Sequence, residues 1–356
     1  MLADGTAEAF RLQAGFCATM GSPLYGELLA RSADDIERGG AVARVLDGWT
    51  GNPFPDALPL RLMGAVHRLV LEGAAPDLAR HYPSTGGTPV WPAAWDAFSD
   101  VVDQRADTVR PELRRCVQTN EVRRSAALLG GFLTVAGAHA MPLRLLEIGS
   151  SAGLNLCWDR YRYETVEIDG AATAPPRHMW GDVRSPVTIR IGWSGPRDLF
   201  HGSARIGERA GCDIDPIDVS EPTHARRLES FVWADQVERV SQLRAAVALA
   251  RRDAPPLARC GAADWLAQQL VAPRHGMATV LFHSIMWWYL SEAERDRVAA
   301  IIAAAGQRAT DAAPFAWLRL EIGGSQEPNV ILTQWPGGAE VVLGSADPHG
   351  RFVRWQ

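Results

Sequence analysis

The chain contains no lysine: all 36 of its basic side chains are arginine. Arginine is never deprotonated in a protein, so a Schiff-base or pyridoxal-phosphate lysine and a P-loop lysine are excluded at once. Cysteine is sparse as well. Cys17, Cys116, Cys157, Cys212 and Cys260 are scattered, odd in number and form no C-x-x-C pair, which argues against a clustered zinc or dithiol site and fits free thiols in a reducing cytoplasm. An excess of positive charge is also missing. A net charge of -5 and a pI near 6.0 offer no footprint for a nucleic-acid backbone or an anionic membrane. The acidic start, MLADGTAEAF, lacks the basic-then-apolar order of a signal peptide. The apolar run 125–143, SAALLGGFLTVAGAHAMPL, is interrupted by Gly130, Gly131, His139 and Pro142. It reads as a buried helix running into a turn rather than a membrane span. These absences predict a cytoplasmic protein with a small-molecule substrate, and neither nucleic acid nor membrane as a partner.

What is present is an ordinary globular composition, 47% hydrophobic and 22% charged, enough for a sizeable core. Apolar positions at helical spacing in PLYGELLARSADDIERGGAVARVL and PLRLMGAVHRLVLEGAAPDLARHY predict a helical region over 1–117. From Leu143 the pattern changes to short apolar runs separated by helical stretches, the sign of βα units and a parallel sheet. Strands are predicted at LRLLEI, near Asp213, and at PLARC, ATVLFHS, FAWLRLEI, NVILTQW and EVVLG. Helices are predicted at LNLCWDRY, across ARRLESFVWADQVERVSQLRAAVALARR, and at DWLAQQL and EAERDRVAAIIAAAG. The α/β region is thus 118–356, with an insertion at 177–210 that reads as a hairpin.

The stretch LRLLEIGSSAGLN, 143–155, carries the most chemistry and admits two readings. Gly149, Ser151 and Gly153 spell G-x-S-x-G, the turn that presents a serine nucleophile in α/β-hydrolases. Asp264 or Asp347 with His283 or His349 would complete a triad, but no upstream oxyanion motif is present. Alternatively, Glu147 ends a strand and Gly149 to Gly153 form a turn that lets a ligand approach the backbone. The dinucleotide form, G-x-G-x-x-G, fails, because Ser151 and Leu154 stand at its second and third glycine positions. Asp213 in RAGCDIDP is either a ribose-binding acid or a solvated loop acid. In RCGAADWL an adenine would lie near Ala262 and Ala263, and Asp264 reads equally as a helix N-cap. His283 in LFHSIMWWYL, with Trp287 nearby, is either a general base or a structural hydrogen-bonder. In QTNEVRRS, Thr119 or Asn120 caps a helix, or else Gln118, Asn120, Glu121 and Arg124 face the ligand loop.

SPLY at 22–25, VQTNEVRRSAAL at 117–128, LLEIGSSAGLNL at 145–156, GCDIDP at 211–216, FHSIMWWYL at 282–290 and ADPHGR at 346–351 together resemble a bacterial family known as domain of unknown function 2332. That family in turn resembles class I S-adenosylmethionine-dependent methyltransferases. The resemblance implies a Rossmann-like sheet of seven mostly parallel strands with a reversed last hairpin, preceded by a helical region acting as a substrate lid. It implies S-adenosylmethionine as cofactor, held by Glu147, Gly149, Ser151, Gly153, Asn155, Asp213, Ala262 and Ala263. His283 becomes the expected base, with Glu121 second. Tyr25, Asn120, Arg124 and Trp287 become the expected substrate-facing residues. Ser151 departs from the middle glycine of the methyltransferase pattern and Ala262 from its frequent aspartate. A catalytically inactive binding protein on the same fold is the remaining alternative.

Overall fold

A computed structural model of the protein describes residues 4–170, 173–196, 198–323 and 327–356. The first three residues of the acidic start, and Arg197 within the expected insertion, lie outside the described residues. The chain divides into two compact units, 1–119 with 220–244, and 120–219 with 245–356.

The first unit is helical. Helix Pro23–Glu37 shows how the sequence sets it: Ser22 caps it by accepting from Tyr25 N at 3.4 Å, Pro23 stands in its first turn, and Leu24, Tyr25, Leu28 and Leu29 are buried on one stripe. These side chains join Phe10, Leu62, Val66 and Phe98 in a core that also takes in Trp233 and Ala234. The long helix expected across 225–252 is in fact two, Pro222–Ser230 and Val237–Ala250. Between them the chain turns so that Asp235 accepts from Ser22 Oγ at 2.5 Å and from Leu24 N at 2.9 Å. Phe231 packs so closely on Gly64 that a Cβ there would lie 2.6 Å from its ring. The helical unit therefore includes 220–244, a segment the sequence pattern assigns to the α/β region.

The second unit is built on one sheet. Its strands are β1 Leu143–Ile148, β2 Arg162–Val166, β3 His178–Gly181, β4 Thr188–Ser194, β5 Ile206–Asp213, β6 Leu257–Arg259, β7 Ala278–Ser284, β8 Phe315–Ile322, β9 Pro328–Trp335, β10 Ala339–Ala346 and β11 Phe352–Trp355. They lie in the order β3-β2-β4-β11-β10-β9-β8-β7-β1-β5-β6. The sheet has eleven strands, not the expected seven. The expected insertion 177–210 is not a separate hairpin: its β3 and β4 lie in the sheet, β3 antiparallel to β2, and β4 parallel both to β2 and to the C-terminal β11. The chain after β8 returns as an antiparallel meander through β9, β10 and β11.

The five strands β6-β5-β1-β7-β8 are all parallel. Taken in chain order they run third, second, first, fourth, fifth, the doubly wound arrangement whose order reverses beside the first strand. Every residue of β1 is buried, as a strand covered on both faces requires. Helix Arg124–His139 covers one face, with Phe132 edge-on to Phe282 at 5.0 Å. Its glycines allow the approach, since a Cβ on Gly131 would lie 2.4 Å from Leu318. Leu146 and Ile148 face helices Ala262–Gln269 and Glu292–Gln307, meeting Ala263, Leu266, Val298 and Ile302. The apolar run is thus a core helix, and among the described residues no helix is long and apolar enough to cross a membrane. Segment LNLCWDR is a 3-10 helix, Leu154–Arg160.

One buried base in the helical unit makes stability depend on pH. His67 is fully buried, and burial pushes its pKa down from 6.5 to about 4. The unfolded chain therefore takes up a proton that the folded chain refuses, so stability falls as pH drops from about 6.5 towards 4. Thermal unfolding between pH 7 and pH 4.5 should show a steeper fall for the native protein than for His67→Gln; parallel curves would refute this.

Candidate functional site

In a doubly wound sheet the natural crevice lies outside the carboxyl ends of the strands where the order reverses, here between β1 and β7. The loop after β1 enters it by a tight path. Gly149, Ser151 and Gly153 all have positive φ, at 66, 52 and 70 degrees. Space is tight at two of these places as well. A Cβ on Gly149 would come within 3.1 Å of the Met286 side chain, and one on Gly153 within 2.8 Å of Pro255. Ser151 carries a side chain in the left-handed region, which costs about 1–3 kcal/mol. Its backbone is clasped from both sides: its N–H donates to Asp213 Oδ2 at 2.8 Å, and its carbonyl accepts from Ile217 N at 3.0 Å.

The amides from Ser150 to Leu154 are all engaged. Ser150 N donates to the Cys212 carbonyl at 3.0 Å and Gly153 N to the Ser150 carbonyl at 2.7 Å. Ala152 N and Leu154 N both donate to Asn120 Oδ1, at 3.2 and 3.0 Å. With Ser151 N on Asp213, five consecutive backbone donors are bound to oxygens of the protein itself. Asn120 is buried, at a φ of 38 degrees, and helix Arg124–His139 starts four residues later. Asn120 therefore caps the ligand loop, not the helix expected to open at QTNE. Asp213 is likewise a loop fastener, since its Oδ1 accepts from Asp215 N at 2.9 Å.

The unengaged polar atoms lie on side chains. Glu147 Oε2, Ser150 Oγ, Ser151 Oγ and Asn155 Oδ1 are buried and have no hydrogen-bond partner among the described residues. A buried polar atom left without a partner costs about 1–3 kcal/mol, so four around one loop mark a place that a ligand or ordered water completes. Glu147 is 2% exposed, and burial, reinforced by the nearby Asp213 charge, holds its carboxyl well above the usual carboxylate range.

The opposite wall follows β7. His283 is fully buried. Trp317 Nε1 lies 3.1 Å from its Nε2, and an indole N–H only donates, so Nε2 is the acceptor. Nδ1 therefore carries the proton, directed at Glu321 Oε1 2.7 Å away. The same oxygen accepts from Met286 N at 2.9 Å and Trp287 N at 3.2 Å, and the Trp287 ring stacks on His283 at 5.4 Å. Both ring nitrogens are committed, which leaves His283 no free nitrogen with which to act as the expected base. It steadies Glu321, which shapes the loop carrying Met286 onto Gly149.

The remaining expected residues are placed as follows. Glu121 is buried and its Oε1 accepts from Arg123 N at 3.2 Å. Arg124 donates to the Pro348 carbonyl at 2.9 Å and the Ser284 carbonyl at 3.5 Å, tying two loops. Ala262 and Ala263 open a helix whose Ala263 N is capped by Glu294 Oε1 at 3.0 Å. The expected cap, Asp264, instead pairs with Arg297. Gln118 accepts from Arg227 at 3.2 Å and Tyr25 is 1% exposed, both within the helical unit. Glu321 escaped the sequence reading, although Leu-Glu-Ile-Gly occurs at both 146–149 and 320–323. A cleft of ≈ 500 Å³ opens elsewhere, among Thr165, Glu167, Asp169, Arg177, His178 and Trp193; Glu167 and Arg177 are paired there.

Fold and site define a doubly wound α/β protein with its candidate site at the reversal of strand order. The chain belongs to the family described as an uncharacterized protein conserved in bacteria, domain of unknown function 2332, whose model matches residues 7–355. No curated protein matches the chain.

Two outcomes test the geometry. Asn120→Ala should destabilise the protein by about 1–3 kcal/mol and speed hydrogen exchange at Ala152 and Leu154, whereas Asn120→Asp, which keeps the acceptor, should not speed it; unchanged exchange in Asn120→Ala would remove the cap. Because the folded pKa of Glu147 is raised, its contribution to stability is lost as pH rises above about 4.5. Glu147→Gln should therefore melt higher than the native protein at pH 8 and lose that advantage by pH 5; a constant difference in melting temperature would contradict it.

Proposed function

We propose that the protein binds S-adenosylmethionine at the loop after β1 and transfers its methyl group to a small molecule. The observation that carries this reading is the contrast between the engaged backbone amides from Ser150 to Leu154 and the unengaged side-chain oxygens around them. A pyrophosphate needs free loop amides; those from Ser150 to Leu154 are already engaged, which disfavours dinucleotides and nucleoside phosphates. Oxygens of Glu147, Ser150, Ser151 and Asn155 suit a ligand that is cationic and rich in N–H and O–H donors. A phosphate-free nucleoside bearing an amino-acid portion and a sulfonium centre has that character.

When bound, the cofactor supplies an electrophilic methyl group that needs neither lysine nor metal to activate it. The chain's own part is to bind and orient. Glu147 offers an acceptor at the end of β1, and its proton is displaced as a positive group approaches. Ser151 and Asn155 offer further polar atoms, and Asp213 keeps the loop in its left-handed path. Met286 and Trp287 close the apolar side, held by Glu321. With His283 committed to Trp317 and Glu321, catalysis rests on positioning for in-line attack, and Glu121 is the second candidate for a proton acceptor.

The commitment of His283 also favours a second reading, a binding protein on the same fold that holds the nucleoside without turnover. A hydrolase built on Ser151 gains no support, because Ser151 Oγ has no hydrogen-bond partner among the described residues and so no base. Calorimetric titration with S-adenosylmethionine and S-adenosylhomocysteine should give saturable heat, with at least tenfold weaker binding in Glu147→Ala and none to NAD or adenosine diphosphate. Absence of heat with both sulfur nucleosides in a folded sample would overturn the proposal. Binding without release of S-adenosylhomocysteine in the presence of candidate acceptors would select the binding-protein reading.

A further inference from the structure

The helical unit holds a nucleophile and a base that the reading above does not use. His67 sits on helix Leu58–Leu71 and Ser84 on the 3-10 turn Pro83–Thr85. His67 Nε2 lies 2.8 Å from Ser84 Oγ, and His67 Nδ1 lies 3.1 Å from the Ser230 carbonyl oxygen. A carbonyl oxygen only accepts, so Nδ1 must carry the ring proton. Nε2 then presents a lone pair, and Ser84 must donate its hydroxyl proton to it. Serine donates to an imidazole whose far nitrogen is oriented by a third group, the arrangement that activates a nucleophilic hydroxyl.

We propose that Ser84 is an acylatable nucleophile with His67 as its base, a second reactive centre that takes small uncharged acyl esters. An uncharged substrate fits the surroundings: the Tyr82 ring lies 5.6 Å from His67, His67, Tyr82 and Ser84 are all buried, and the Arg244 guanidinium that donates to the Ser84 carbonyl at 3.5 Å is paired with Glu229. The Tyr82 hydroxyl is buried without a hydrogen-bond partner among the described residues. The segment immediately after the serine reaches solvent. Thr85 and Gly86 are exposed, and Gly86 has a φ of 85 degrees with open space where a Cβ would stand.

In the acylation step, Ser84 Oγ bonds to the ester carbonyl carbon as its proton passes to His67 Nε2. The bond from that carbon to the alcohol oxygen breaks, and the alcohol leaves with the proton. Water then bonds to the carbonyl carbon, gives a proton to His67, and the acid departs as Ser84 Oγ recovers it. The imidazole must be neutral at the start, and burial keeps it so, with its pKa down near 4. The centre lies in a different unit from the loop after β1, so its failure would leave the methyl-transfer reading intact.

Treatment of the full chain with a fluorophosphonate, followed by peptide mass mapping, tests the proposal. A single adduct on Ser84 is expected, with none in Ser84→Ala, undiminished labelling in Ser151→Ala and labelling at least 100-fold slower in His67→Gln, in line with removal of a general base. Should His67→Gln fail to fold, the native protein decides alone: labelling of Ser84 must vanish in urea, where the dyad is dispersed. An unlabelled Ser84 in the folded protein, or a rate unchanged by the His67 substitution or by urea, would overturn it.

Discussion

The site depends on one constraint: a chain of left-handed residues after β1 must find acceptors for its amides. Gly149, Ser151 and Gly153 turn the backbone sharply, and a turn of that kind points several N–H groups inward with no ladder to receive them. Many α/β proteins meet this demand with a phosphate from the ligand. Here Asn120 and Asp213 meet it with their own oxygens. The loop is consequently formed in advance, and what it leaves for a ligand is a set of side-chain oxygens, not backbone donors.

The facing loop obeys the same logic. Glu321 gathers His283 and two backbone amides on one oxygen, and so fixes Ile285, another left-handed residue with a φ of 50 degrees. Two strand-end acids thus have opposite fates. Glu321 Oε1 receives three donors, whereas Glu147 is buried with an oxygen free and its carboxyl held towards the neutral form. The first acts as a structural anchor, and the second is the group with most to gain from a ligand.

Much of this was legible in the residues. The loop was found because glycine spacing after an apolar strand is a local signal. So was the succession β1, β5, β6, β7 and β8, and helix Arg124–His139 as a core element rather than a membrane span. The inserted strands were harder, because RYETV and HMWG are short and half polar, and only pairing of β4 with β11, more than 150 residues apart, draws them into the sheet. Asn120 lies about 30 residues before the amides it caps, so no local pattern reveals its role. His283 looked like a base because composition near a strand end cannot show that Trp317 and Glu321 occupy both its nitrogens.

By itself the sequence determined the chemistry that is impossible without lysine, the alternation of strands and helices, and the position of the glycine loop after β1. These follow from residue types and short-range periodicity, which act within a few residues along the chain. Tertiary structure alone decided which polar groups remain unpaired, because hydrogen-bond partners are chosen by distance in space. That choice made His283 a prop, Asn120 and Asp213 fasteners and Glu147 the open acceptor, and it brought Ser84 onto His67 across 17 residues of chain.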